Sequence, residues 1–166
     1  MSRMYELAEE VLRLARGAGL TIATAESCTG GLVAGALTEI PGSSEAVDRG
    51  FVTYSNLAKT QMLGVPAELI EAYGAVSEEV ARAMAAGALN ASGAGLAVAI
   101  TGVAGPGGGT EAKPVGLVHF AAVRRGQPAI HREKRFGDIG RAEVRGASVL
   151  VALQMLREAA GQERIA

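Results

Sequence analysis

The sequence predicts an α/β domain in which helices cover both faces of a mixed, mostly parallel β-sheet. The chain has 166 residues, of which 49% are hydrophobic, and this is enough for one sizeable core. In the first part of the chain, apolar strand-like runs alternate with helix-like segments, a pattern typical of parallel strands joined by helices. Two further strand-like runs follow with only a short turn between them, which indicates a hairpin. We therefore expect a single three-layer α/β/α domain over residues 1–166.

The first three elements are a helix, a strand and a second helix. Residues 4–16 place apolar side chains at helical spacing, and Gly17 ends this helix. Residues 20–25 form a short, mostly apolar run, which predicts a buried strand. The segment 29–40 again has helical character and stops at Pro41.

A second strand and three helices come next. Residues 50–55 alternate between apolar and polar, which predicts a strand. Two short helices follow at 56–64 and 66–74, the second of which opens with proline at its favoured first position. Ser77 is well placed to cap a longer helix over 78–92.

The last part of the chain contains three strands and a final helix. The strand at 95–102 leads into a glycine-rich loop, which ends at the first strand of the hairpin. The hairpin strands are expected at 115–123 and 129–136. The final helix is expected over 140–159, with Asp138 as its cap.

Composition excludes several classes of function. The net charge of −1 argues against nucleic acid as a partner, because such surfaces usually carry a basic excess. The single cysteine, Cys28, allows no intrachain disulfide and no cysteine-based zinc site. His119 and His131 have no acidic motif near them, so we interpret them as packed or surface residues. The N-terminus is charged and helical, unlike a signal peptide, and no apolar run is long enough to span a membrane. We expect a cytoplasmic protein that does not bind membranes.

Two loops are the best candidates for chemistry because each directly follows a buried strand. They read ESCTGG, at 26–31, and TGVAGPGGG, at 101–109. Ligands in α/β sheets bind beyond the carboxyl ends of strands, so the two loops meet there if their strands are parallel. In the first loop, Gly30 and Gly31 would let backbone N–H groups approach a ligand, and they begin a helix whose positive end favours an anion. The alternative is a helix capped by Ser27 or Thr29, with the glycines present for packing.

The first loop presents two candidate nucleophiles, Ser27 and Cys28. Catalysis by cysteine usually needs a histidine partner, and neither histidine lies in a loop of this kind. A serine needs a base, and Lys59, on the short helix after the second strand, is the best placed lysine. Burial weakens the affinity of a lysine for its proton and would make it a base. Tyr54 could hold this lysine, although an exposed lysine and a core tyrosine are the ordinary alternatives.

The second loop has neither the Walker A pattern nor the dinucleotide-binding pattern. Thr101 and Gly102, at the end of the strand, are its best candidates for ligand contact. Arg141 and Arg145 lie one turn apart on the final helix and could bind a phosphate together. The alternative is that both arginines pair with neighbouring carboxylates on the surface.

Taken together, several stretches of the chain resemble a single family in their order and spacing. They are TAESCTGG, PGSS, GFVTYSNLAK, YGAVSEEVA, AITGVAGPGGGTEAKPVG and GRAEVR. From about residue 5 to residue 158, the chain is similar to the CinA C-terminal domain family, in its stand-alone form. The resemblance implies an amidohydrolase that converts nicotinamide mononucleotide to nicotinic acid mononucleotide and ammonia, without metal or cofactor, in pyridine-nucleotide salvage.

The resemblance also implies roles for individual residues. It makes Ser27 the nucleophile and Lys59 the general base, with Tyr54 beside them. It assigns substrate contacts to Thr101, Gly102 and Arg141, and we expect backbone N–H groups of Thr29, Gly30 and Gly31 to hold the oxyanion.

Two further expectations concern partners and the competing function. The small and apolar residues on the helices favour a homo-oligomer that binds a small nucleotide substrate. A nucleotide-binding regulatory module without turnover remains the alternative function, since glycine loops and arginines would serve it equally well.

Overall fold

A computed structural model describes residues 2–162, which fold around one five-stranded sheet. The strands are β1 (Ile22–Glu26), β2 (Val47–Val52), β3 (Leu96–Gly102), β4 (Leu117–Arg124) and β5 (Ile130–Arg135). Their order across the sheet is β2-β1-β3-β4-β5. β1 pairs in parallel with both β2 and β3, whereas β4 is antiparallel to both of its neighbours. Four strands therefore run in one direction and only β4 runs against them, which confirms the mixed, mostly parallel sheet.

Helices cover both faces of this sheet and complete the expected three layers. The helices are α1 (Arg3–Gly17), α2 (Leu32–Thr38), α3 (Asn56–Leu63), α4 (Ala67–Tyr73), α5 (Glu78–Ser92) and α6 (Arg141–Ala160). α1, α2 and α6 pack on one face with the larger apolar side chains of the strands. α3, α4 and α5 pack on the other.

The face of the sheet that meets α5 is lined by alanine. Its buried apolar strand residues are Ala23, Ala25, Ala97, Ala99 and Ala121. Small side chains let α5 approach the strands closely, and the same close packing continues outward to α3. A Cβ at Gly87 of α5 would overlap the carbonyl oxygen of Leu63 in α3. The depth at which α3 sits on the domain therefore depends on a glycine.

Two elements begin three residues away from their expected starts, β2 earlier and α2 later. β2 was expected at 50–55 but spans Val47–Val52, because its register is set by β1 and ends where β1 ends, with Glu26 opposite Val52. The chain then leaves the sheet, and the hydroxyl of Ser55 accepts the Ala58 N–H to cap α3. α2 begins at Leu32 rather than at residue 29, since the two preceding glycines have positive φ and cannot belong to a helix.

The predicted helix caps meet different outcomes. The hydroxyl of Ser77 accepts the N–H of Val80 at 3.2 Å, which confirms it as the cap of α5. Asp138 is not the cap of α6, because the helix starts later and Gly140 occupies the N-cap position. Pro66 is likewise the residue before α4 rather than its first residue. Within residues 2–162, none of the helices has the length and apolar character needed to cross a bilayer.

Candidate active site

The carboxyl ends of β1 and β3 lie side by side and open into a cleft of about 200 Å³. The lining residues come from the ends of both strands and the loops after them, from α3 and the nearby Tyr54, from the segment before α5, and from the start of α6. They are Ser27, Cys28, Tyr54, Asn56, Lys59, Ala75, Val76, Thr101, Gly102, Ala104 and Arg141. The Ser27 N–H donates to the Ile100 carbonyl at 2.9 Å, so the loop after β1 is held against β3 at its first residue. The parallel pairing has brought the two candidate loops together, as expected.

Ser27 and Lys59 are in direct contact at the floor of this cleft. The Nζ atom of Lys59 donates to Ser27 Oγ at 3.1 Å, and it also contacts the carbonyl oxygens of Thr53 at 3.1 Å and Tyr54 at 3.4 Å. Only 1% of Lys59 is exposed, so the surface-lysine alternative does not hold.

The environment of Lys59 favours its neutral form. Among the described residues, no carboxylate lies within 4.0 Å of its Nζ atom, which contacts only neutral oxygens. Burial lowers the pKa of Lys59 below its ordinary value, because the ammonium loses hydration. A thiolate at the nearby Cys28 would act in the opposite direction, as a weaker effect. Lys59 can therefore accept a proton from Ser27 at a lower pH than an exposed lysine could.

The thiol of Cys28 is in the opposite state to a reactive cysteine. It is 5% exposed, and burial raises its pKa to about 12. A thiolate is the nucleophilic form, so Cys28 is protonated and unreactive at neutral pH. The structure thus favours Ser27 over its neighbour.

We expect iodoacetamide to label native Cys28 about a thousandfold more slowly than it labels the unfolded chain, because the raised pKa suppresses the thiolate. The measurement is intact-mass spectrometry at pH 8, with and without denaturant. Labelling of the folded protein at the rate of the unfolded control would contradict this assignment.

The positive end of α2, expected to bind an anion, is occupied by the chain's own carboxylate. Glu26 is fully buried, and its Oε1 accepts the Thr29 hydroxyl at 2.6 Å and the Val33 N–H at 2.8 Å. Its Oε2 accepts the Ala34 N–H at 3.1 Å. The carboxylate accepts hydrogen bonds from free N–H groups at the start of the helix, and its charge interacts favourably with the helix dipole. This end of α2 is therefore not free to bind another anion.

Thr29 was expected to contribute a backbone N–H, and the structure gives its side chain a separate partner. It is fully buried with its hydroxyl bound to Glu26, and neither it nor Ser27 caps α2 through a side chain. Glu26 was not among the residues predicted to have a specific role in the site. The available signal was an acidic residue between a buried strand and the turn that opens a helix.

The two glycines of this loop allow the backbone to turn, and Gly30 also leaves room for Arg145. Gly30 and Gly31 have φ values of +57° and +108°, in the region that favours glycine. The Gly30 N–H donates to the Ser27 carbonyl at 3.0 Å, so it is not free for a ligand as expected. A Cβ at Gly30 would lie 3.1 Å from Nη2 of Arg145, which packs against the loop.

Arg141 and Arg145 have separate partners. Arg145 donates from Nε to the Cys28 carbonyl at 3.1 Å and from Nη2 to the Thr29 carbonyl at 3.4 Å. Arg141 donates to the Tyr54 hydroxyl at 2.8 Å and to the Gly105 carbonyl at 2.9 Å. The two arginines share no partner among the described residues, and neither forms a surface ion pair with Asp138 or Glu143 there.

Tyr54 stands at the mouth of the cleft rather than in the core. Its side chain is 62% exposed and its hydroxyl accepts from Arg141, while its backbone carbonyl is the group that contacts Lys59. Tyr54 therefore reaches Lys59 through its backbone, not through the phenol.

Thr101 and Gly102 form the opposite wall. The Thr101 hydroxyl donates to the Ala75 carbonyl at 2.8 Å and holds the segment before α5 in place. A Cβ at Gly102 would lie 2.7 Å from Val118, so this position has no room for a side chain. Asn56, at the start of α3, also lines the cleft. Nothing in its sequence context distinguished it.

The histidines pair with each other, and neither is among the residues that line the cleft. Nδ1 of His119 and Nε2 of His131 are 3.0 Å apart, and Glu133 and Glu78 lie near their outer nitrogens. Burial is the main cause that lowers the pKa of both rings. Within the part of the chain that the structure describes, no group of three or more side chains is arranged to hold a metal ion.

Comparisons with known proteins agree on one family. The model of the CinA C-terminal domain matches residues 4–160. A curated relative from Symbiobacterium thermophilum, named a putative competence-damage inducible protein, is 60% identical over 73% of this chain and 28% of its own length. A relative from Escherichia coli strain K12, named nicotinamide-nucleotide amidohydrolase PncC, is 51% identical over 93% of both chains.

The solved structures agree with this result. The crystal structure of the competence/damage inducible protein CihA from Agrobacterium tumefaciens has a TM-score of 0.94 and 56% identity, over 98% of each chain.

The present chain spans about a third of the length of the first curated relatives that it matches, between 28% and 36%.

Proposed function

The chain belongs to the CinA C-terminal domain family, and on that basis we propose that it hydrolyses the carboxamide of nicotinamide mononucleotide. The products are nicotinic acid mononucleotide and ammonia, and the reaction would serve pyridine-nucleotide salvage. In this proposal Ser27 is the nucleophile and Lys59 is the general base. The amidohydrolase name of the Escherichia coli relative supports the substrate class.

The contact between Ser27 Oγ and Lys59 Nζ is the observation that carries the proposal. Burying a lysine among neutral oxygens costs free energy, because its charged form is desolvated there. A module that only binds a nucleotide gains nothing from that arrangement. A hydrolase gains a base that is already in contact with its nucleophile.

Acylation is the first half of the proposed reaction. Ser27 Oγ attacks the carboxamide carbon while Lys59 Nζ takes the hydroxyl proton. The carbonyl oxygen becomes an oxyanion. When the tetrahedral intermediate collapses, the C–N bond breaks and Lys59 gives its proton to the leaving nitrogen, which departs as ammonia.

Deacylation repeats the same proton transfers with water. Lys59 takes a proton from a water molecule, whose oxygen attacks the acyl carbon of the ester on Ser27. The ester C–O bond then breaks, and Lys59 returns the proton to Ser27 Oγ. The product acid leaves as a carboxylate and the enzyme is restored.

The oxyanion needs hydrogen-bond donors close to Ser27. The N–H groups of Cys28 and Thr29 follow the nucleophile directly, and neither has an acceptor in another residue of the described chain. Preorganised backbone donors of this kind are worth about 10²–10³ in rate each. We assign the oxyanion to these two groups, which moves the expected site from residues 29–31 to residues 28–29.

The substrate phosphate needs a cation, and Arg141 is the best placed. It lies at the mouth of the cleft, is exposed, and uses part of its guanidinium on Tyr54 and Gly105. A guanidinium carries five N–H donors, so others stay available for a phosphate.

Arg141→Met is expected to raise the KM for nicotinamide mononucleotide by about 10- to 100-fold, the range for losing a hydrogen bond to a charged group. The KM for nicotinamide riboside, which lacks the phosphate, is expected to change by less than about threefold on the same scale. Steady-state kinetics on both substrates checks this. An equal rise in both KM values would remove Arg141 from the phosphate site.

The proposal as a whole is tested by ammonia release from nicotinamide mononucleotide by the purified protein, in a buffer containing EDTA. Turnover under these conditions supports an amidohydrolase that needs no dissociable metal. Tight binding of the nucleotide by calorimetry without any ammonia release would instead favour the regulatory module.

A further inference from the structure

We propose that Arg145 is a positioning residue that holds the Cys28–Thr29 peptide so that its N–H points at the oxyanion. This inference rests on the proposed function, and it assigns to Arg145 a task different from phosphate binding. Arg145 touches no reacting atom in it; it acts through the backbone of the loop that carries Ser27.

The contacts of Arg145 are with that loop. Its Nε donates to the Cys28 carbonyl at 3.1 Å, and its Nη2 reaches the Thr29 carbonyl at 3.4 Å. Across residues 2–162, no carboxylate lies within 4.0 Å of this guanidinium. Arg145, on α6, thus donates hydrogen bonds to two consecutive carbonyl groups, which lie 116 and 117 positions away in the sequence.

The planarity of the peptide bond turns this contact into an orientation of the N–H. In a trans peptide the C=O and N–H bonds point in opposite directions. Because the Cys28 carbonyl points at Arg145, the Thr29 N–H in the same peptide points away from it. The peptide before is held in the same manner, since the Ser27 carbonyl accepts the Gly30 N–H.

The Thr29 N–H is the donor that remains without a protein partner. Thr29 is fully buried, yet its N–H has no acceptor among the described residues, while its hydroxyl and carbonyl are both engaged. Buried N–H groups without a partner are rare because they cost free energy. An oxyanion that forms on the acyl carbon next to Ser27 would supply the missing acceptor.

Gly30 provides the space for this arrangement. A side chain there would crowd Nη2 of Arg145, and Gly30 also has a positive φ. On the other side, Glu26 fixes the Thr29 hydroxyl and the start of α2. The loop is therefore held by an anion from β1 and a cation from α6, and Arg145 is the clamp that acts on its carbonyl groups.

The kinetic test compares Arg145→Met and Arg145→Lys with Arg157→Met, all with nicotinamide mononucleotide. Arg157 is the control, because it is a half-buried arginine of the same helix that pairs with Glu10. We expect Arg145→Met to lower kcat by about 10- to 100-fold with KM within about twofold, since a misaimed oxyanion donor weakens the transition state alone. Arg145→Lys should recover part of that loss, and Arg157→Met should match the wild type.

A second measurement is independent of turnover. Amide hydrogen exchange followed by NMR should show faster exchange at Thr29, by about tenfold or more, in Arg145→Met but not in Arg157→Met. Unchanged exchange at Thr29, or a kcat within twofold of the wild type, would overturn the role of Arg145. A fall in kcat that matches a loss of folded protein, equal in both variants, would also overturn it. A wild type that releases no ammonia would overturn the proposed function, and the exchange rates would still decide whether Arg145 holds the loop.

Discussion

Replacing Ser27 with alanine is expected to reduce ammonia release by at least about a thousandfold. The reason is that the substitution removes Ser27 Oγ. Among the residues that the structure describes, this is the only oxygen of the cleft that contacts Lys59 and can form an ester. The remaining rate would come from binding and oxyanion stabilisation of direct attack by water. The measurement is a coupled ammonia assay on Ser27→Ala beside the wild type, with circular dichroism to confirm folding.

A matched control is Ser92→Ala, a serine at the end of α5 whose hydroxyl contacts a helix carbonyl away from the cleft. It should retain wild-type turnover. A second readout uses hydroxylamine, which competes with water for an acyl-enzyme and gives a hydroxamate. Hydroxamate from the wild type and none from Ser27→Ala supports the ester on Ser27. Undiminished turnover in Ser27→Ala would show that the nucleophile is another group or a water molecule.

Replacing Lys59 with methionine is expected to lower kcat by about 10²–10⁴-fold, the usual contribution of a general base. Methionine has a similar length and suits the burial of this position, so packing is largely kept. In the wild type, kcat should rise with pH as Lys59 loses its proton, through a pKa below that of an ordinary lysine.

This rising limb should disappear in Lys59→Met and persist in Lys134→Met, where an exposed lysine of β5 is changed. A pH–rate profile of all three proteins is the check. If Lys59→Met kept the wild-type profile, Lys59 would not be the base.

The same lysine makes a linked prediction for stability. The pKa of Lys59 is lower in the folded protein than in the unfolded chain, so between these two pKa values the unfolded chain binds more protons. The free energy of unfolding contributed by this group therefore rises with pH across that window. Urea titrations at several pH values should show this rise in the wild type and in Lys134→Met. The free energy of unfolding of the wild type, relative to that of Lys59→Met, should increase toward alkaline pH.

Sequence patterns could predict the main features of the site because they follow from general rules. Alternating strands and helices predicted that the two loops would meet if their strands were parallel. The parallel pairing of β1 with β3 brings Ser27 to the same edge as Thr101. Elimination of other bases and family resemblance pair Ser27 with Lys59, but the contact between them depends on how α3 packs.

The features that escaped prediction depend on distances across the fold. Glu26 was predicted only as part of the loop at 26–31, whereas in the structure the start of α2 closes around its carboxylate. Tyr54 was expected near Lys59 through its side chain, but the chain turns there, so its phenol meets Arg141 on α6 instead. Arg145 contacts a loop that is distant in the sequence, and local sequence spacing cannot predict such a contact.

The contact between Gly87 and Leu63 has a consequence for how this chemistry can change over time. α3 carries Lys59 and packs against α5 at Gly87, which has no side chain. The distance between Lys59 and Ser27 therefore depends on a residue outside the cleft. A single added methyl group at Gly87 would lift α3 and move the amine away from Ser27, with every residue of the cleft intact. Loss of activity in a relative of this chain can thus originate in the spacing of two helices, and an inventory of catalytic residues would not detect it.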